Sequence, residues 1–230
     1  AVGVEALENN STGGNNTAIG RGSLRSTTTG GYNTAIGRDS LTTNQTGTNN
    51  TCVGMYSGFY LSSGNYNTGV GYDALQDLST GSSNTSIGAF SLDKLTSGSN
   101  NTGLGYHALS STTTGDGNIG IGLNALDANT TGNSSIGIGR DCLSNSNAGG
   151  TVSIGAYSSS SLTSGSGNTA VGYKALQDNQ TGGGNTAVGF ESLIETTANS
   201  NTGVGTYSLR NTTTGSENIA DPILFFFKKL

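Results

Sequence analysis

Aliphatic residues recur along this chain at a fixed interval, each followed by a glycine. The pairs run Val2-Gly3, Ile19-Gly20, Ile36-Gly37, Val53-Gly54, Val70-Gly71, Ile87-Gly88, Leu104-Gly105, Ile121-Gly122, Ile138-Gly139, Ile154-Gly155, Val171-Gly172, Val188-Gly189 and Val204-Gly205. Successive glycines lie 17 residues apart except before Gly155 and Gly205, where the gap is 16. Leucine usually follows four residues later, as at Leu24, Leu41, Leu75 and Leu92, and a second glycine ten residues later, as at Gly13, Gly30, Gly47 and Gly64. Such self-similarity marks a repeat architecture. A helical repeat does not fit, because two glycines and several Asn, Thr and Ser per copy favour turns. The pattern predicts an all-β, parallel β-solenoid of about thirteen coils. Each coil is expected to hold two short strands and two turns, one strand ending at Ile-Gly and the other near Ser-Leu. Stacking at about 4.8 Å per coil gives a column on the order of 60 Å long.

Alternation along a strand places Thr34 and Ile36 on one face and Ala35 and Gly37 on the other. The Ala35 column holds only small residues (Ala18, Cys52, Gly69, Ser86, Gly103), so something packs closely over it, either the rest of the coil or another chain. The core is expected to be thin, with one Ile or Val and one Leu per coil. Association of several chains would widen it. The Asn column (Asn16, Asn33, Asn50, Asn67, Asn84, Asn101, Asn118, Asn168, Asn185, Asn201, Asn218) suits an amide ladder. The Thr column (Thr17, Thr34, Thr51, Thr68, Thr85, Thr102) forms a rank that Ile119, Ser134 and Val152 interrupt. Asn199 replaces a second-column glycine, as expected where φ is positive. At Ser57-Gly58-Phe59-Tyr60-Leu61 and Ser158-Ser159-Ser160-Ser161-Leu162 the leucine shifts by three residues, which predicts an altered turn.

Two segments follow: the repeat domain 1–217 and a divergent segment 218–230 ending Ile223-Leu224-Phe225-Phe226-Phe227-Lys228-Lys229-Leu230, read as a cap or docking strand. With no initiator Met and no signal peptide, the chain reads as a portion of something longer. No apolar run is long enough to span a membrane.

Charge is sparse, with 9 basic and 14 acidic residues, and no basic patch suits nucleic acid. Cys52 and Cys142 fall in different columns about five coils apart, too far for a disulfide. His107 is the only histidine, in a column shared with Asp39, Asp73, Lys174 and Glu191 that reads as solvent-facing. No carboxylate pair recurs, no Cys/His cluster suits a metal, and no serine has a partnered base, so the sequence reads as a non-enzyme without cofactor. Long side chains recur after the closing glycine: Arg21, Arg38, Met55, Tyr72, Tyr106, Arg140, Tyr173 and Phe190. They cover sheet surface, or form a stripe that contacts carbohydrate or protein. Asn-x-Ser/Thr sequons stand at Asn9, Asn10, Asn15, Asn44, Asn49, Asn84, Asn100, Asn129, Asn133, Asn179 and Asn211, where turns could carry glycans.

The unit Asn33-Thr34-Ala35-Ile36-Gly37-Arg38-Asp39-Ser40-Leu41 resembles the Asn-Ser-x-x-Ile-Gly-x-x-Ser head repeat of YadA-like trimeric autotransporter adhesins, and Gly189-Phe190-Glu191-Ser192-Leu193 is similar to that family's last head repeat. Arrays of this kind also occur in phage and viral fibres. The resemblance covers the chain to about residue 219. It implies a left-handed β-roll of three chains side by side, displayed on a cell or particle surface and used for attachment. The family's repeat is shorter, so the extra residues here fall in the Thr-Thr-Gly turn, which is expected to project as a small loop. The sequence therefore reads as an extracellular structural or adhesive fibre segment. Its expected partners are its own copies and a host-surface protein or glycan. The alternatives are a passive filament subunit polymerising end to end and an ice-binding β-solenoid, the latter suggested by the Thr rank.

Overall fold

A Thr-small-aliphatic triplet, bracketed by Asn before and Gly after, has room for only a short strand in each copy. The computed structural model describes residues 1–220. Their strands are β1 (Thr17–Ile19), β2 (Thr34–Ile36), β3 (Thr51–Val53), β4 (Thr68–Val70), β5 (Thr85–Ile87), β6 (Thr102–Leu104), β7 (Ile119–Ile121), β8 (Ile136–Ile138), β9 (Val152–Ile154), β10 (Thr169–Val171), β11 (Thr186–Val188), β12 (Thr202–Val204) and β13 (Ile219–Ala220). The chain divides into two compact units, one of residues 1–118 holding β1–β6 and one from Ile119 onward holding β7–β13. Within each unit consecutive strands pair in parallel without offset, so that Ile36 lies beside Val53 and Val171 beside Val188. No helix occurs among the described residues. The protein is a parallel β-solenoid with one strand per coil. The cap or docking strand expected for 218–230 lies outside the described residues beyond Ala220.

The second strand expected near Ser-Leu does not form. That part of the coil is a run of turns in which every other residue has positive φ, for example Asp39 at 53° and Leu41 at 50°. The alternation points successive amides toward opposite neighbours: Asp39 N–H donates to Arg21 O (2.8 Å) and Leu41 N–H to Ser57 O (3.0 Å). The backbone is satisfied without β geometry, which is what the accounting of buried amides requires. A left-handed leucine costs about 1–2 kcal/mol, and complete burial of its side chain contributes roughly 1.5–3 kcal/mol in return.

The core also differs from the expectation. In each of β1–β12 the middle residue is buried and its two neighbours face outward. Ala35, Cys52, Ala170 and Ala187 are buried against the leucines of the turns, among them Leu41, Leu176 and Leu193. The aliphatic residue before the closing glycine lies outside this core; Ile19, Ile87 and Leu104 are about two-fifths exposed. The size limit on the middle column therefore comes from the turn of the same chain. Two coils show how tightly the volumes are matched. Where the small column enlarges to Cys52, the leucine position is Gly58, whose absent Cβ would stand 2.7 Å from Cys52 Sγ. Where it becomes Ser153, the leucine position is Ser159, and the two hydroxyls hydrogen-bond at 2.7 Å. Leu61 and Leu162 are not displaced copies of that leucine. They occupy a separate inward column that elsewhere holds Asn44, Leu78 and Leu95, all buried.

The asparagine ladder forms with backbone partners included. Asn50 Oδ1 accepts from Asn67 N (2.9 Å) and Asn67 Nδ2 (3.1 Å), while Asn67 Nδ2 also donates to Gly81 O (2.9 Å). In the second unit the column passes through Ser135 and Thr151. Ser135 Oγ still reaches Ala148 O (2.9 Å), but Thr151 Oγ1 is buried without a partner.

The residue of β8 in register with Ile119 and Val152 is Ile136, not Ser134. The second-column glycines answer to space rather than to positive φ; a Cβ on Gly47 would meet Gly64 O and Asn44 Oδ1, both at 2.5 Å. In the short coil Ala198, not Asn199, takes that glycine's role and accepts Asn185 Nδ2 at 2.9 Å. The Thr-Thr-Gly turn does not project, since the amides of Thr28, Thr29 and Gly30 converge on Gln45 O at 3.0, 3.1 and 3.1 Å.

Candidate functional site

Because the middle residue of each strand points inward, the first and third define an outward face in each unit. In the first unit it carries Thr17 to Thr102 in one rank and Ile19, Ile36, Val53, Val70, Ile87 and Leu104 in the other. In the second unit β7–β9 are aliphatic at both positions: Ile119, Ile121, Ile136, Ile138, Val152 and Ile154. No outward position of β1–β12 is charged.

The residues after the closing glycine make a different surface. Arg21, Arg38, Met55, Tyr72, Tyr106, Arg140, Tyr173 and Phe190 are all exposed, as expected. The next residue joins them, because its positive φ swings its side chain alongside. In the first unit Tyr56, Tyr72, Phe90 and Tyr106 follow one another at ring separations of 6.3, 5.3 and 5.9 Å, edge to face. In the second unit Tyr157, Tyr173, Phe190 and Tyr207 follow one another at 6.1, 5.3 and 5.5 Å, edge to face at the first and last steps and stacked at Tyr173–Phe190. Guanidinium groups lie over the rings at Arg38–Tyr56 (5.6 Å) and Arg140–Tyr157 (4.7 Å). Sequence spacing alone showed half of each stripe, because it treated the two positions as separate columns.

His107 packs between Phe90 (5.1 Å) and Tyr106 (4.3 Å) and is part of the stripe. Its column is not uniformly solvent-facing, since Asp73 is buried and its carboxyl is raised above the ordinary range by that burial. Lys94 Nζ lies 3.6 Å from both Asp77 and Asp93 carboxylates. Burial raises Asp93, and Lys94 opposes the rise. Lys94 is more than half exposed, so these pairs add little stability. Among the described residues no group of three or more His, Cys, Asp or Glu could hold a metal ion. No helix there is long and apolar enough to cross a membrane.

Both cysteines are buried and unpaired, and burial pushes each thiol up to about 12. The neutral thiol is thus favoured by the fold, so its contribution to stability is complete below about pH 9 and is lost as pH rises through 12. We expect neither thiol to react with an aromatic disulfide reagent at pH 8 in the folded protein, and both to react in denaturant; fast labelling of the native chain would contradict the enclosed core.

The sequons separate into two sets. Asn9, Asn10, Asn15, Asn49, Asn100, Asn133 and Asn211 are exposed. Asn44, Asn84, Asn129 and Asn179 are buried and their amides hold turns or the ladder, for instance Asn179 Nδ2 to Gly182 O at 2.8 Å. The folded chain offers no room for a glycan at those four.

A parallel β-solenoid with an uncharged outward face and aromatic stripes is the class that fold and surface define. The sequence matches no protein-family model, and no curated protein matches it.

Proposed function

We propose that this chain is a structural and adhesive segment of an extracellular fibre, in which copies associate side by side through the outward strand face. The observation that carries this is the aliphatic field of β7–β9, where six Ile and Val side chains stand in two adjoining ranks. A contiguous apolar patch of that kind is costly in water and typical of an interaction site. A second copy suits it best, because identical coils have identical rung spacing and an uncharged face repels nothing. Three chains around one axis, as in the fibre heads the repeat resembles, would turn these ranks into a shared core. That would relieve the thinness of the single-chain core. The aromatic stripes and turns would remain outward for attachment to a surface.

Light scattering on the full chain is expected to give a mass three times the 23.0 kDa of one chain. The double variant Ile138→Lys/Ile154→Lys is expected to be monomeric with an unchanged circular dichroism spectrum, since both positions face outward in the single chain. A monomeric parent would overturn the proposal, as would a double variant that stays associated. Monomers that shape ice crystals would support the ice-surface reading instead, which the unbroken threonine rank of β1–β6 favours.

A further inference from the structure

One coil departs from the repeat in a way its packing does not require. Residues five and six after the closing glycine are Phe59 and Tyr60 here, and no other coil has an aromatic at either place. In the next coil the same positions are Gln76 and Asp77. Tyr60 is about half exposed, so it contributes little to the core that the repeat builds everywhere else.

These residues enclose an open depression of about 170 Å³ lined by Tyr56, Phe59, Tyr60 and Gln76. Its rings stand nearly at right angles: Tyr56 and Phe59 at 76°, Phe59 and Tyr60 at 82°. The backbone beneath is fixed to both neighbouring coils, with Tyr60 N–H on Gln76 O (2.9 Å) and Thr43 N–H on Phe59 O (3.2 Å). Gln76 Nε2 donates to Asp73 Oδ1 (3.1 Å), and Asp73 is buried, so the amide is held in place. Its carbonyl oxygen and second N–H are left for a ligand, as are the hydroxyls of Tyr56 and Tyr60.

We infer that this depression binds one neutral hexopyranose unit of a glycan. It is smaller than the usual pocket for a drug-sized molecule and suits a single six-membered sugar ring. A pyranose presents an apolar C–H face and a rim of hydroxyls. Ring walls take the first, and the amide and phenol groups take the second, just as aromatic side chains with a polar tip serve elsewhere. No lining residue is charged, which disfavours a sulfated or acidic sugar. The inference rests on the adhesive reading above by supplying the class of ligand that the fibre would hold.

The test is titration of the full chain with cello-, manno- and galacto-oligosaccharides, read by calorimetry and tyrosine fluorescence, with heparin as the anionic probe. One neutral series is expected to bind at roughly 0.1–1 mM, the range for a shallow single-sugar contact. Tyr60→Ala is expected to weaken it at least tenfold and Gln76→Leu about fivefold. Tyr32→Ala, at an exposed tyrosine elsewhere in the same unit, should leave it unchanged. Failure of all three neutral series, preference for heparin, or a Tyr60→Ala chain that binds like the parent would each overturn the assignment. Light scattering on the same samples separates the two proposals. Sugar binding by a monomeric chain would sink the fibre and keep the site, and an associated chain that ignores every sugar would do the reverse.

Discussion

Alanine at Gly37 is expected to lower stability by roughly 3 kcal/mol or more and to break the cooperativity of the surrounding coils. Two independent costs meet at this position. Its φ is +130°, a region that side-chain-bearing residues avoid, and a Cβ there would stand 2.5 Å from Gly54 O and 2.6 Å from Gly54 C. The obstructing atoms are backbone, so no rotamer change relieves them. The coils could only move apart, and that would stretch the bonds from Gly54 N to Ile36 O (2.8 Å) and from Thr34 N to Asn50 O (2.8 Å). In a stacked array each coil depends on its neighbours, so a local break should appear as a broadened or split transition. Urea unfolding followed by circular dichroism measures this. Gly14→Ala is the matching control, because nothing lies within 4 Å of a Cβ there and φ is not positive. A Gly37→Ala chain as stable as Gly14→Ala would contradict the stacking distance itself.

Asn67→Ala should be comparably damaging, at about 2–6 kcal/mol. Asn67 is fully buried and its side chain makes four hydrogen bonds. Removing it orphans Asn84 N–H and Gly81 C=O, and each buried orphan costs roughly 1–3 kcal/mol. Asn67→Asp distinguishes lost bonds from lost volume. The carboxylate would keep the acceptor role but would face two oxygens, Asn50 Oδ1 and Gly81 O, that now receive N–H groups. Its folded pKa would therefore rise above the ordinary value near 4. By linkage, the Asp variant should be most stable below that value and lose stability as pH climbs past the raised one. Equal stability of Asn67→Ala and parent, or an Asp variant indifferent to pH, would remove the ladder from the list of what holds the coils.

Both predictions concern columns that are legible in the sequence itself. The glycine and asparagine periods mark positions where a neighbour in the next coil leaves little latitude; the closing glycine recurs after each aliphatic residue of its column from Val2 to Val204, and the asparagine gives way only at Ser135 and Thr151. The small column at Ala35 was legible for the same reason. The identity of what packs over it was not, because Leu41 reaches it through a turn whose left-handed φ runs against leucine's own preference. Local propensity gives no hint of such a conformation; the neighbouring coils impose it. The sequence therefore suggests a strand at Ser-Leu and a core at the Ile36 column, where the structure has a turn and an outward rank. The same assumption hid the outward face, since an aliphatic column is expected to be inside. Phe59 and Tyr60 were visible as a disruption of the pattern, but not the perpendicular walls they form with Tyr56.

The sequence by itself determined the period, the solenoid class, the register of Ile36 with Val53, and which columns are dominated by glycine or asparagine. Those follow from contacts between equivalent residues one coil apart, and a repeat writes such contacts directly into its own spacing. Tertiary structure alone decided which face of each triplet is inside. That choice depends on how the rest of the same coil folds back, and the fold-back is governed by the alternating φ of the turns, where inter-coil hydrogen bonds and burial of leucine outweigh a conformational cost no residue in isolation would accept.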